Sequence, residues 1–225
     1  MVVYGCPGVK TVSELIESNG NSLVNKKDMA TTRYAHGIVA ISDNAFCVIG
    51  GYGNSSYLQE CEQYDIEHDQ WSPLPSLNEK RYYHGCIYIS KSKTIYCFGG
   101  YNGSWLNTME KLELNAVPPG SNSWKPVNLT SNQANVGYDA MLYQLSSKEI
   151  IIFRGYDSTD TYLFNITENT IKTYTDAKIK PIGEYHRGYK YKCGNSIYSV
   201  GYNGHLHIFN PKERSCTSKP FSEIQ

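Results

Sequence analysis

The chain has 225 residues, and its 21 lysines and arginines balance its 21 aspartates and glutamates, so the formal net charge at pH 7 is zero. This balance argues against a nucleic-acid-binding protein, which needs a basic surface for the phosphate backbone. The sequence has no run of about 18 apolar residues, the length that a transmembrane helix requires.

Cysteine usage indicates the compartment. The seven cysteines are odd in number and include no CxxC or CxC pair. Several fall in apolar runs with strand character, where a free cysteine behaves as a small buried hydrophobic residue. This pattern favours a reducing compartment over a disulfide-stapled fold. The first residues lack a basic segment followed by a long apolar core, so no secretory signal is predicted. We expect a cytoplasmic protein.

The first segment, residues 1–32, aligns with later parts of the chain. Glu14-Leu15-Ile16 matches Glu62-Gln63-Tyr64, and then Glu110-Lys111-Leu112, at spacings of 48 residues. Self-similarity at a fixed period of this size is typical of a repeat architecture. We therefore predict that residues 1–32 form part of one repeat unit.

The next segment, residues 33–80, is the first complete unit. Polar turn segments separate four runs with strand character. These runs are Ile38–Ile41, Phe46–Ile49, Leu58–Ile66 and Trp71–Leu74. Four short antiparallel strands in about 50 residues are typical of a β-propeller blade.

The rest of the chain repeats this unit with increasing divergence. Arg33-Tyr34-Ala35-His36-Gly37 returns as Arg81-Tyr82-Tyr83-His84-Gly85, and Gly50-Gly51-Tyr52 returns as Gly99-Gly100-Tyr101. The later units keep only Gly155-Tyr156 and Gly201-Tyr202 of the second motif. Each of the four units after residue 32 therefore retains a tyrosine directly after a glycine.

The ordered series Arg-x-x-His-Gly, hydrophobic run, Gly-Gly-Tyr, Tyr-Asp, Trp and Leu-Pro resembles the kelch repeat, most specifically over residues 33–124. The resemblance implies an all-β, kelch-type β-propeller with four antiparallel strands per blade. We expect one domain over residues 1–225, with a partial blade at 1–32 and blades at about 33–80, 81–134, 135–185 and 186–225. Kelch propellers commonly have six blades, so four and a partial fifth predict an incomplete ring within a longer protein. Open blade edges would then allow self-association.

The resemblance also implies a binding face, because kelch substrate adaptors contact peptides through the loops after the double glycine and at the start of each blade. Trp105 joins this set as an off-motif tryptophan in such a loop, a residue type common in binding hot spots. The alternatives are that the tyrosines pack against neighbouring blades and that the arginines bond to backbone carbonyls. The predicted partner-binding residues are Arg33, Tyr52, Asn54, Arg81, Tyr82, Tyr101, Asn102, Trp105, Tyr156, Asp157, Tyr202 and Asn203.

The predicted function is a non-catalytic module that binds a protein or peptide, and not nucleic acid or a membrane. One alternative is the substrate receptor of a cullin-type ubiquitin ligase whose BTB or F-box domain is missing from this sequence. Another is a kelch-like carbohydrate-active or metal-dependent enzyme. We predict neither cofactor nor metal, because His36 and His84 belong to the repeat motif. His205 and His207 share a predicted strand face but have no evident third ligand.

Overall fold

A computed structural model describes residues 2–3, 13–16, 23–115, 122–130, 140–154, 160–174, 186–193, 196–201, 205–220 and 222. Over these ranges the ordered elements are β-strands joined by turns, and no α-helix occurs. Correspondingly, the described residues include no helix with the length and hydropathy needed to cross a membrane.

Nineteen strands are assigned in the described residues, and they form five sheets. The first sheet has three strands in the order β1-β2-β3. The other four sheets each have four strands, and their orders are β4-β5-β6-β7, β11-β10-β9-β8, β12-β13-β14-β15 and β16-β17-β18-β19. The strands are β1 Val2–Val3, β2 Ser13–Ile16, β3 Leu23–Lys26, β4 Gly37–Ser42, β5 Ala45–Gly53, β6 Ser56–Asp65, β7 Gln70–Leu74, β8 Gly85–Ile89, β9 Thr94–Phe98, β10 Met109–Glu113, β11 Lys125–Pro126, β12 Met141–Gln144, β13 Glu149–Phe153, β14 Thr161–Asn165, β15 Thr170–Thr173, β16 His186–Cys193, β17 Ser196–Gly201, β18 His205–Asn210 and β19 Ser215–Pro220.

Each sheet falls inside one of the predicted repeats, and consecutive strands within it are neighbours. The prediction of an all-β protein built from four-stranded antiparallel blades is therefore confirmed. The chain forms two compact units. The first comprises residues 1–82, 88–97 and 110–126, and the second comprises residues 83–87, 98–109 and 127–225. The arrangement of the blades in an incomplete ring stays a prediction.

Within the first unit, aromatic residues join the blade core to the outer strand. Phe46, Val48 and Tyr64 are fully buried with Met29, and Trp71 packs against them. The ring centroids of Tyr64 and Trp71 are 4.8 Å apart. The indole Nε1 of Trp71 donates to the Lys27 carbonyl over 2.7 Å. The motif tryptophan therefore links β7, the fourth strand of the blade, to the segment around Lys27 that precedes the blade.

The corresponding positions in the divergent blades are still buried. In the second unit, Cys216 and Phe209 pack with Met141, Ile151 and Phe153. Cys216 lies six residues after Asn210, as Trp71 lies six residues after Asp65, and it keeps the apolar character of that position without the indole N–H. The divergent blades thus retain a core although the motif has degraded.

The double glycine behaves differently from the prediction in the first complete blade. The apolar run was expected to end at Gly50-Gly51, yet β5 continues to Gly53. A register irregularity between Ile49 and Gly51 lets pairing with β6 resume at Gly51 and Leu58. Gly51 has φ +107°, and a Cβ there would lie 2.9 Å from both the Tyr34 carbonyl oxygen and the His36 Cβ. The backbone around the motif histidine, from Tyr34 to His36, therefore packs closely against Gly51.

We expect Gly51→Ala to destabilise the protein more than Gly103→Ala. Both glycines have positive φ, but a Cβ at Gly103 would have nothing within 4 Å. Backbone strain of about 1–3 kcal/mol applies to each variant, and overpacking adds about 1–3 kcal/mol for Gly51→Ala alone. Urea unfolding of both variants measures the difference. Equal losses would show that His36 and the Tyr34 carbonyl shift freely to accommodate the methyl group.

Two thiols in this blade are predicted to be inert. Burial raises the pKa of both Cys47 and Cys61 to about 12. At pH 8 neither thiol should react with iodoacetamide in the folded protein, because the thiolate is the nucleophile. A denatured sample is the control, and both residues should be fully modified there by mass spectrometry. Modification of either one without denaturant would contradict this expectation.

The same pKa shifts make the free energy of unfolding depend on pH. A thiol has a pKa of about 8.5 in the unfolded chain, so the folded protein binds the proton more tightly. The resulting stability is complete below about pH 8.5 and is lost as the pH rises towards about 12. The Cys61→Ala variant should therefore lose less of its unfolding free energy between pH 8 and 10 than the unmodified protein.

Candidate functional site

The first arginine of the repeat motif lies inside its blade. Arg33 is 1% exposed. Its NH1 donates to the carbonyl oxygens of Gly50 over 2.8 Å and Glu60 over 2.7 Å. Its NH2 pairs with Glu62 Oε1 at 2.5 Å. The guanidinium thus joins the loop before β4 to strands β5 and β6.

The second motif arginine has the same arrangement one repeat later. Arg81 is fully buried, and its NH2 lies 2.8 Å from Glu110 Oε1 on β10. The other oxygen, Oε2, accepts hydrogen bonds from the backbone N–H and the side-chain amide of Asn78, over 2.8 and 2.7 Å. Glu79 also donates its backbone N–H to Oε1. The carboxylate therefore organises the loop that begins the blade.

These geometries correct the assignment of Arg33 and Arg81 to the partner-binding face. Each guanidinium is enclosed and paired with a carboxylate, so a partner that docks on the surface does not reach it. The structural alternative, in which the motif arginine bonds within the protein, accounts for both residues. Its carboxylate partners, Glu62 and Glu110, were missing from the sequence-based site.

The tyrosine after each buried arginine remains at the surface. Tyr34 and Tyr52 exchange backbone hydrogen bonds of 2.9 Å in both directions. Tyr52 lies opposite Tyr57 in the hairpin of β5 and β6. The carbonyl of Arg81 accepts from Gly51 N–H over 2.8 Å, which holds the following Tyr82 against the same hairpin. Backbone bonds therefore place four tyrosines together.

We call Tyr34, Tyr52, Tyr57 and Tyr82 the tyrosine cluster; all four lie in the first unit and are half-buried. The Tyr52 ring centroid lies 5.4 Å from that of Tyr34, 5.4 Å from that of Tyr57 and 5.7 Å from that of Tyr82. Tyr57 and Tyr82 are 5.4 Å apart. The interplanar angles run from 40 to 74°, so the rings are tilted against one another. They form a continuous aromatic surface with phenol hydroxyls as polar groups.

The loop after β9 carries a second aromatic feature, within the second unit. Tyr101 and Trp105 form an isolated antiparallel bridge, and their ring centroids are 4.6 Å apart at 66°. Gly103, at the turn between them, has φ +114°. Trp105 is 52% exposed. This Tyr101–Trp105 pair therefore presents a tryptophan on a closed, hydrogen-bonded loop.

The remaining predicted residues divide into two groups. Asn54 is exposed at the tip of the β5–β6 hairpin with φ 49°, and Asn102 is half-buried and donates its N–H to the Ser104 carbonyl. Tyr156, Asp157, Tyr202 and Asn203 lie outside the described residues. The sequence-based site omitted Tyr34 and Tyr57. The signal for Tyr57 was its position across the Gly53–Ser56 turn from Tyr52.

Comparison with known families matches a model of the Kelch motif over residues 33–78. This chain contains a kelch repeat. The matched segment contains Arg33 with its carboxylate Glu62, and three of the four residues of the tyrosine cluster. Kelch repeats generally form interaction domains. The motif arginine accordingly lies inside the blade, whereas Tyr34, Tyr52 and Tyr57 are half-buried.

The histidines of the kelch motif, His36 and His84, each directly precede the first strand of their blade. His84 is buried, and the Cβ of His36 lies where a side chain at Gly51 would be. His207 on β18 is also buried, whereas the side chain of His205 lies outside the described part of the chain. The described tyrosines offer a ligand aromatic rings and hydroxyl groups, and Trp105 offers an indole ring. Such side chains are suited to binding a partner.

Proposed function

We propose that this kelch-repeat protein is a non-catalytic interaction module that binds a protein or peptide partner through its surface aromatic residues. The observation that carries the proposal is the tyrosine cluster, whose four contacting rings are fixed by backbone hydrogen bonds. The Tyr101–Trp105 pair is proposed as a contact surface in its own right. Arg33 and Arg81 are not part of either surface.

The physical basis is preorganisation. Loops held on a rigid scaffold lose little conformational entropy when they bind. Tyrosine and tryptophan are enriched in interfaces, because each supplies a large apolar area together with a hydrogen-bonding group. The buried Arg–Glu pairs beneath Tyr34 and Tyr82 add rigidity at the point where each tyrosine leaves the blade.

A displayed library of random peptides tests this proposal when it is selected on the immobilised protein. Peptides that enrich are then measured against Tyr82→Leu, Trp105→Ala and the control Ile38→Ala. Among the described residues, Ile38 is the other exposed large hydrophobic residue, and it belongs to neither surface. Loss of binding in at least one surface variant, with the control unchanged, supports the proposal. Enriched peptides that bind all three variants equally overturn it.

The ubiquitin-ligase receptor and the enzyme remain alternative predictions. Neither is favoured by a particular contact among the described residues. Catalysis has a direct readout, because an enzyme would show turnover in a carbohydrate screen that a binding module would not.

A further inference from the structure

The tyrosine cluster has a chemical character that narrows the kind of partner it would hold. Its rings are tilted rather than coplanar, with centroids spaced at 5.4 to 5.7 Å. At these spacings neighbouring rings touch, which leaves no room for a group to enter between them. A ligand must therefore lie across the ring surface, with small apolar groups packed against the ring faces and edges.

Charge is the second constraint. The residues that precede Tyr34 and Tyr82 are the cations Arg33 and Arg81, yet each is neutralised by its own buried carboxylate, Glu62 or Glu110. The hairpin tip that carries Tyr52 and Tyr57 has the uncharged sequence Gly53-Asn54-Ser55-Ser56. Exposed charges of both signs, Glu60 and Lys80, flank these elements in the sequence, so charge favours neither an acidic nor a basic segment. The complementary ligand is electrically neutral.

Hydrogen bonding is the third constraint. Tyrosine combines a flat apolar body with a hydroxyl group, so the cluster suits a ligand with apolar rings and exposed acceptors. A polyproline II segment meets this description, because it is neutral and its carbonyls have no internal partners. Its extended conformation also exists before binding, so little entropy is lost when it docks on aromatic grooves.

We infer that the tyrosine cluster formed by Tyr34, Tyr52, Tyr57 and Tyr82 binds proline-rich segments in the polyproline II conformation. The inference rests on the proposed function and specifies the partner for this one surface. Pyrrolidine rings pack across the exposed faces and edges of the tyrosine rings, and phenol hydroxyls donate to the carbonyls of the segment. Recognition is then of backbone shape and ring packing, not of charge.

The test is fluorescence anisotropy of the whole chain with a labelled decaproline peptide. Three labelled peptides of equal length serve as comparisons, namely a glycine–serine, a lysine-rich and a glutamate-rich sequence. We expect saturable binding of decaproline and at least about tenfold weaker binding of each comparison. Preferential binding of the lysine-rich peptide would instead indicate cation–π recognition and would overturn the inference.

Variants locate the site. Tyr82→Leu, which keeps apolar bulk but removes the ring, should weaken decaproline binding about tenfold or more. Tyr82→Phe should weaken decaproline binding only a few-fold. If Tyr82→Leu does not fold, Tyr82→Phe is the variant whose affinity tests the inference. The matched control is Tyr143→Phe, since Tyr143 is a half-buried tyrosine that packs on Phe209. Binding that is insensitive to both changes at Tyr82 overturns the inference.

The two proposals can fail separately. If decaproline does not bind, but peptides selected from the random library lose affinity in the Tyr82 or Trp105 variants, the polyproline inference is wrong and the interaction module stands. If neither decaproline nor any selected peptide depends on these residues, both proposals are wrong.

Discussion

Replacing Glu110 with glutamine is expected to lower the free energy of unfolding by about 3 kcal/mol, near the lower end of the range for breaking a buried ion pair. The change keeps the shape of the side chain but removes the charge that Arg81 faces at 2.8 Å. Arg81 is fully buried, so water does not replace the lost carboxylate, and the ionic partner that remains is the partly exposed Glu79, 3.3 Å away. Urea unfolding monitored by tyrosine and tryptophan fluorescence gives the value.

The same strand supplies a matched control. Glu113 pairs with Lys111 at 3.0 Å, but both side chains are at least one-third exposed. An exposed ion pair contributes about 0–1 kcal/mol, so Glu113→Gln should have little effect. If Glu110→Gln lowers the free energy of unfolding by no more than Glu113→Gln does, the buried carboxylate does not organise the blade.

A double-mutant cycle separates pairing from other roles of the two residues. Arg81→Met alone leaves the Glu110 carboxylate buried with only its neutral donors, including Asn78. The variant with both changes leaves neither member of the buried pair charged, and Glu79, which also loses Arg81, is partly exposed. Its loss of unfolding free energy should therefore fall short of the sum of the single losses by about 1–3 kcal/mol. Additive costs would mean that the pair does not act as a unit.

The fold was predictable because the strand signals are local and recur. Strand β7 begins one residue before its predicted start at Trp71 and ends at the predicted Leu74. The path of β5 beyond Gly50 was not predictable. There the strand continues because Gly51 accepts the close approach of Tyr34 and His36, and such an approach depends on residues distant in sequence.

The surface site was only partly predictable. The motif repeats arginine and tyrosine side by side at Arg33-Tyr34 and Arg81-Tyr82, and repetition alone cannot tell an enclosed side chain from a displayed one. The decisive fact is a carboxylate 29 residues after each arginine, at Glu62 and Glu110. That recurrence is visible in the sequence. A buried pair could be expected from it only once strands β6 and β10 were known to face the arginines.

Trp105→Ala is expected to weaken the binding of a peptide selected on that surface by about 30-fold or more, which corresponds to the 2 kcal/mol typical of a tryptophan hot spot. Its exposed half would supply the contact area. The effect on unfolding should be small by comparison, because the loop is closed by other bonds. Leu106 is buried, and its N–H donates to the Gly100 carbonyl over 2.9 Å.

The affinity loss can be attributed to Trp105 only if the neighbouring ring is considered. Tyr101 stacks edgewise on the indole at 4.6 Å, and such aromatic pairs are worth about 0.5–1.5 kcal/mol. If Trp105 orients Tyr101 for the partner, the losses in Tyr101→Ala and Trp105→Ala will overlap, and the double variant will bind little worse than either. Fully additive losses would show two independent contacts. An affinity within threefold of the original protein in Trp105→Ala would remove this loop from the interaction surface.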